Sequence, residues 1–310
     1  MIHGKNVNNQ IKPITVQVAL MLEILFIFNA GCGNFPPSDP EEIEILRRDT
    51  LSATNTTVAT WNLHHGVGLD GRYDLTRVVN TIKNSGTHVV ALQEVDRYFR
   101  KESLCDDMAA SIVRIASGSS PIESRLHGSI RKFAASGSGG AWTLVFAPAL
   151  NWNGDLFECG WSQGRQYGPA LLVNGTTDNE QVLYMDYGGE RRALLCATAR
   201  PVGTSSFYRF CSTHLDHRDA DIRKAQTRAV YDFITTGRWL PDKMILGGDF
   251  NSASGSDALM LISSWLTPHT DSGIDILYRA FWFSFISCRT IVSPASDHNM
   301  EICSYNDWAG

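Results

Sequence analysis

From Thr57 onward the chain repeats one pattern: a short run rich in β-branched and aromatic residues ends abruptly in a polar side chain, and an amphipathic stretch follows. Thr57-Val58-Ala59-Thr60-Trp61 runs into Asn62, and His88-Val89-Val90-Ala91-Leu92 into Gln93-Glu94. Phe207 to Thr213 runs into His214, and Lys243 to Leu246 into Gly247-Gly248-Asp249-Phe250-Asn251. Short apolar runs of this kind are strands buried on both faces, and their alternation with helical stretches specifies an α/β fold. Asp74 is placed to cap a helix whose Leu75, Val78, Val79 and Ile82 share one face, and Gly86 stops it. Further helices are expected near 105–116, 220–235 and 257–265. Further strands are expected at 142–146, 170–173, 182–186, 193–199, 274–279, 289–293 and 299–303. Residues 117–141 hold two Gly/Ser-rich patches around Arg125, Arg131 and Lys132, and read as a surface insertion. No repeat or linker interrupts residues 55–310, which read as one domain.

Hydrophobic residues make up 43% of the chain and charged residues 19%, which excludes a disordered protein. Lys and Arg number 27 against 32 Asp and Glu, so the net charge of −5 provides no overall field to hold the chain on nucleic acid. Any phosphate chemistry must rest on a local site.

The first 31 residues read as a leader and residues 32–54 as a flexible linker. Lys5 and Lys12 precede an apolar run, Ile14 to Phe28, that is broken by Gln17 and Glu23. The run is short for a spanning helix, which needs about twenty residues. Asn29-Ala30-Gly31-Cys32 resembles the cleavage box of a bacterial lipoprotein, with Cys32 as the lipidated residue and membrane tether, although Asn29 stands where a Leu-like residue is usual. An ordinary secreted leader, an uncleaved anchor and a misread start are the alternatives. Export would permit disulfides. The turn-rich Pro201 to Thr204 joins two strand-like runs in a register that sets Cys196 opposite Cys211, as a disulfide or as two buried thiols.

Polar residues thus collect at strand ends, where active sites are built. Singly each has a plain explanation: a turn residue at Asn62, a solvated strand end at Glu94, an Asx turn at Asp249 and Asn251. Their order and company carry more. Trp61-Asn62, Gln93-Glu94, Thr213-His214-Leu215, Gly248-Asp249-Phe250-Asn251 and Ser296-Asp297-His298 together resemble the endonuclease/exonuclease/phosphatase superfamily over roughly residues 57–303. Asn62-Leu63-His64-His65-Gly66, Asp74 and Gln93-Glu94-Val95-Asp96 look most like its bacterial hydrolases.

The resemblance implies a four-layer α/β sandwich, two mixed β-sheets packed face to face with helices outside. It also implies a divalent metal, Mg²⁺ with Mn²⁺ as the substitute. Mg²⁺ takes carboxylate and amide oxygens while keeping several waters. Glu94, Asn62 and Asp297 are the expected ligands, Asn62 through a neutral oxygen. Asp249 is expected to orient and deprotonate the attacking water, Asn251 to hydrogen-bond the phosphate, and His214 and His298 to donate to the phosphoryl group. Asp275 matches the segment whose carboxylate pairs with the histidine of the Ser-Asp-His motif, here His298. His64, His65 and His217 adjoin motif residues without an assigned role. Pro169 stands where the family commonly has a phosphate-contacting Asn. The stretch from Asn251 to Asp275 is short, and Asn299-Met300 after His298 leaves the last strand poorly anchored.

These residues predict a monomeric Mg²⁺-dependent phosphoesterase acting on phosphodiesters, of nucleic acid or a phospholipid headgroup. A phosphomonoesterase on sugar or inositol phosphates, and an inactive binding module on the same fold, are the alternatives. A nuclease would flank its cleft with basic residues, yet the evident basic cluster is Arg125, Arg131 and Lys132 in the insertion. A lipid hydrolase would use an exposed apolar loop, for which Phe281-Trp282-Phe283-Ser284-Phe285 is the candidate beside its reading as a core strand.

Overall fold

Strands β1 (Asn55–Asn62) and β2 (Val89–Arg97) lie parallel, Trp61 opposite Leu92, with helix α1 (Leu75–Asn84) between them in sequence. The computed structural model describes residues 55–152, 159, 164–204, 207–236, 243–270, 273–280 and 284–306, all within the unit Ala53–Gly310. The leader, the linker and Cys32 lie outside the described residues. The Asp74 carboxylate accepts the Arg77 N–H at 3.0 Å, and Leu75, Val78, Val79 and Ile82 are buried as their spacing dictates. Helix α2 (Met108–Ser117) starts later than its apolar pattern suggests, because Asp107 caps it by accepting from Ala110 N–H.

Strands β3 (Ile122–Arg125), β4 (Arg131–Gly137) and β5 (Gly140–Phe146) form an antiparallel ladder that joins the main sheet, so the reading of 117–141 as a surface insertion is corrected. Ile130 and Phe133 are fully buried. The glycines that suggested a loop serve a close approach instead. A Cβ on Gly137 would lie 2.4 Å from Ser117 O, and one on Gly139 would lie 2.1 Å from Ala116 O, at the end of α2.

The remaining elements are β6 (Leu150–Trp152), β7 (Arg165–Met185), β8 (Arg192–Pro201), β9 (Tyr208–His214), α3 (Ala220–Thr236), β10 (Met244–Asp249), α4 (Met260–Ser263), β11 (Thr267–Pro268), β12 (Asp275–Arg279), β13 (Ser284–Ile291) and β14 (Met300–Asn306). Hydrogen bonding traces one mixed sheet, β11-β12-β10-β9-β8-β7-β2-β1-β14-β13, with β3 to β6 branching from β7. Two sheets were expected. The 21-residue β7 joins what would be their edges, pairing with β2, β5 and β6 along its first part and with β8 along its second.

The sheet curls so that its two halves meet. A Cβ on Gly247 of β10 would lie 2.9 Å from Ala91 Cβ on β2 and 3.1 Å from Thr60 Cβ on β1. Val58, Val89 and Ala91 share a core with Cys196, Phe210, Leu246 and Ile276, while the alternating Ala59, Trp61, Val90 and Leu92 pack with α1 and α2. Each such large side chain, fully buried, contributes roughly 1.5–3 kcal/mol. Among the described residues no helix is long and apolar enough to cross a membrane.

Disulfides join Cys105–Cys159, Cys196–Cys211 and Cys288–Cys303. The second is the pair set opposite by the β8–β9 register. The third ties β13 to β14, which runs buried between β1 and β13, so the last strand is well anchored. Of the apolar run 281–285, residues 281–283 lie outside the described set. Phe285 sits on β13, half exposed and stacked on His269 at 4.4 Å. Closing a loop of this size by a disulfide is worth about 3 kcal/mol in the chain-entropy model. The double substitution Cys288→Ala, Cys303→Ala is therefore expected to lower the urea midpoint and, because the uncrosslinked unfolded chain is more expanded, to raise the m-value somewhat, and an unmoved midpoint would deny the bond a stabilising role.

Candidate active site

Parallel pairing of β1 with β2 and of β9 with β10 brings four strand ends to one edge of the curled sheet. Register does the rest, placing His214 and Asp275 on either side of Asp249 as direct cross-strand partners. Glu94 arrives by a β-bulge: Leu92 faces Ala170 and Val95 faces Gly168, so Gln93 and Glu94 together oppose Pro169 alone. Proline has no N–H for the ladder and is found at such bulges. Glu94 takes a left-handed φ of 59° there. Pro169 thus shapes the strand where an Asn contact to phosphate was expected.

Asn62 links the two halves. Its Nδ2 donates to Glu94 Oε1 at 3.2 Å and to Asp249 Oδ2 at 3.0 Å, while its Oδ1 accepts the His64 N–H at 3.0 Å. The amide oxygen expected to serve a metal is thus engaged by the backbone, and the NH₂ group faces the carboxylates. Asp249 Oδ1 accepts the Asn251 N–H at 2.9 Å, and Oδ2 lies 3.5 Å from His214 Nε2 and 3.9 Å from His298 Nε2. Asn251, at φ 49°, donates from Nδ2 to Leu215 O. His298 Nδ1 meets Asp275 Oδ2 at 2.6 Å. Ser296 Oγ donates to Asn62 O at 2.7 Å and accepts the His298 N–H, which pins the motif to the end of β1. Asp297 faces His64, 3.7 Å from its Nδ1, with its own side chain 46% exposed.

Burial raises the Asp249 carboxyl above its usual value. Burial together with the charge of Arg192 pushes His214 well below its ordinary range, which keeps it neutral. Burial alone would also lower His298, but the Asp275 hydrogen bond and the surrounding carboxylates push it up to about 9. His65 lies 3.0 Å from Glu94 Oε2 and 3.5 Å from Asp96 Oδ1. Burial would raise Glu94, yet this contact holds it below the usual carboxylate range.

The donor set suits a hard divalent cation. Glu94 and Asp249 converge on one amide, and the buried Asp275 Oδ1 has no hydrogen-bond partner. Ligand atoms of Asp249, Asp275 and His298 also lie within 4.8 Å of one another. Because Nδ1 of His298 is spent on Asp275, those three read more naturally as a hydrogen-bonded relay, leaving carboxylate oxygens for the metal.

Glu94, His214, Asp249, Asn251 and His298 line a cleft of about 430 Å³. The same cleft is lined by Arg100, Arg192 and Arg218, which the sequence reading missed. The basic cluster it noticed is largely neutralised on the sheet, Arg131 by Glu123 at 2.6 Å and Lys132 by Glu180 at 2.8 Å. Arg218 stands four residues past His214, the one hint available in sequence.

Solved structures of similar fold include an endonuclease/exonuclease/phosphatase from Beutenbergia cavernae (TM-score 0.61, 19% identity, 81% of this chain and 71% of that one). The human Nocturnin catalytic domain with a bound sulfate anion matches at TM-score 0.56 and 17% identity, over 81% and 94% of the two chains. A mannosyl-6-phosphatase from Bacteroides thetaiotaomicron matches at TM-score 0.54 and 14% identity, over 81% and 100%. No curated protein matches the sequence. The sequence pattern of the Endonuclease/Exonuclease/phosphatase family matches residues 59–298, from β1 to His298, and the chain belongs to that family.

Proposed function

We propose that the protein is a divalent-metal-dependent phosphoesterase that cleaves phosphodiesters by in-line attack of an activated water. The observation that carries this is the convergence of Glu94, Asp249, His214 and His298 from both halves of the sheet on one cleft. Asp249, buried, with its carboxyl raised and oriented by Asn62 and Asn251, is the base that takes the proton of the water. His298, cationic at neutral pH beside Asp275, stabilises charge on the phosphoryl oxygens. Neutral His214 can donate one hydrogen bond to the same group. Asn251, at the cleft wall, contacts the phosphate. Mg²⁺ or Mn²⁺, held by Glu94 with help from the neighbouring carboxylates, would neutralise phosphoryl charge and orient the ester. Asp297, beside His64, would join that set through a water. Asn62 acts as a positioning residue for both carboxylates.

The continuous curled sheet is taken to correspond to the four-layer sandwich implied by the resemblance. Three disulfides favour an exported protein; anchorage through Cys32 or secretion, and action as a monomer, are part of the same proposal.

The test compares bis-p-nitrophenyl phosphate with p-nitrophenyl phosphate. Hydrolysis of the diester should require Mg²⁺ or Mn²⁺, stop with chelator and return on re-addition. A preference for the monoester would redirect the reading to sugar or inositol phosphates, as the name of the mannosyl-6-phosphatase suggests for that protein. Loss of a residue that merely supports a metal ligand already costs about 10–100-fold in metal affinity, so Glu94→Gln, which removes the main carboxylate itself, should move the Mg²⁺ titration to higher concentration by at least that much. An unmoved titration would take Glu94 out of the metal site.

A further inference from the structure

One wall of the cleft contains a contact that the protein cannot satisfy alone. Arg192 Nη2 lies 3.2 Å from His217 Nδ1, and Arg218 Nε lies 2.9 Å from His217 Nε2. A guanidinium only donates, and a neutral imidazole offers one acceptor nitrogen and one N–H. In either tautomer, therefore, one of the two contacts sets donor against donor. Arg192 is also buried, its side chain 3% exposed and its Nε without a hydrogen-bond partner. Its nearest carboxylate is Glu190, 3.3 Å from Nη1. Asp216 contributes charge nearby, but its Oδ1 is taken by the N–H groups of Arg218 and Asp219.

Arg100 lines the same cleft with its guanidinium 5.4 Å from the centre of the Tyr167 ring and 3.9 Å from Asp96. Three guanidinium groups thus line the cleft that also holds the catalytic carboxylates. For the buried Arg192, donors without acceptors are costly, and a phosphate would match its guanidinium fork with several oxygens at once while Arg100 and Arg218 approach from the more open side.

We infer that Arg100, Arg192 and Arg218 form a second anion site beside the scissile ester, and that the substrate is a phosphoester carrying a further phosphate group. The inference rests on the phosphoesterase reading for the reaction and on the arginine geometry for the site. It differs from generic phosphate attraction because Arg192 is fixed in place and pre-desolvated, which favours one position of the second group.

The test uses the full chain and two chromogenic ligands, the p-nitrophenyl phosphate diester of thymidine with and without a phosphate on its free sugar hydroxyl. The phosphorylated form is expected to show a KM at least about tenfold lower. That preference should collapse in Arg218→Ala, an exposed position where folding is not at risk, and survive in part in Arg218→Lys. Calorimetric binding to the Asp249→Asn protein separates the two ideas. If the extra phosphate gives no tighter binding there, or if a preference persists undiminished in both Arg218→Ala and Arg192→Lys, the second anion site is wrong. Tighter, arginine-dependent binding with neither ligand hydrolysed by the natural chain would keep the anion site and remove the hydrolase.

Discussion

Asp249→Asn is expected to lose turnover by about a thousandfold or more, while the protein melts at the same temperature or higher. The loss follows from removing the base, whose proton transfer is worth about 10²–10⁴ in rate. The second half is less usual. A carboxyl whose pKa is higher in the folded than in the unfolded chain is penalised whenever it is charged, so at neutral pH the folded state bears the cost of holding Asp249 ionised in a buried place. Asn keeps the shape and can still accept from the Asn62 amide or the Asn251 N–H while removing that cost. A single substitution that abolishes activity and leaves or improves stability marks a residue kept for function. Near-normal activity would show that another group activates the water, and a large fall in melting temperature would show that Asp249 is structural.

Asp275→Asn should reshape the pH profile more than it lowers the best rate. His298 is pushed up to about 9 beside Asp275, so in the natural chain the imidazolium persists through neutrality and the rate falls only as pH rises through about 9. Taking away the carboxylate charge returns His298 toward its ordinary value near 6.5. At pH 8 only a few per cent of the imidazole would then be charged, a loss of about thirtyfold, with little change at pH 5.5. Stability follows the same sign. The contribution of a histidine with a raised pKa is complete below the unfolded value and fades as pH climbs through the folded one, so the variant should lose stability most below about 6.5. A profile whose alkaline limb does not move would separate Asp275 from His298.

Part of this site is legible in sequence because Asn62, His214 and Asp249 each close a strand whose apolar run announces it, whereas Glu94 sits at a bulge inside β2, Asp275 opens β12 and His298 precedes β14. Strand-like runs pointed to Asn62, Glu94, His214 and Asp249, but their order along the chain and the family resemblance were needed to read them as one site, and Leu75 to Ile82 needed only helical spacing. Cys196 with Cys211 needed only a hairpin register. Three things were not legible. Gly137 and Gly139 look like looseness, whereas they are small because the end of α2 presses on them. Gly175 to Glu180 resembles a turn that would divide β7 in two, whereas a bulge between Asp178 and Gln181, with Asn179 at φ 52°, carries the strand through. Arg100, Arg192 and Arg218 come from three separated segments, and no spacing rule connects them. Asn62 illustrates a finer limit, since the residue type was right but the face of its amide is decided by the His64 backbone.

The continuity of β7 bears on how this cleft could select what enters it. Glu94 stands on the strand paired with the first part of β7, and the strands carrying His214 and Asp249 follow β8, which is paired with its second part. A clam-like opening between those walls would have to bend β7 between Val173 and Gly175 and pull apart the core that Val58, Val89 and Ala91 share with Phe210, Leu246 and Ile276. The aperture is therefore a fixed dimension of the scaffold, more mould than jaw, and discrimination among ligands falls to the side chains that line it.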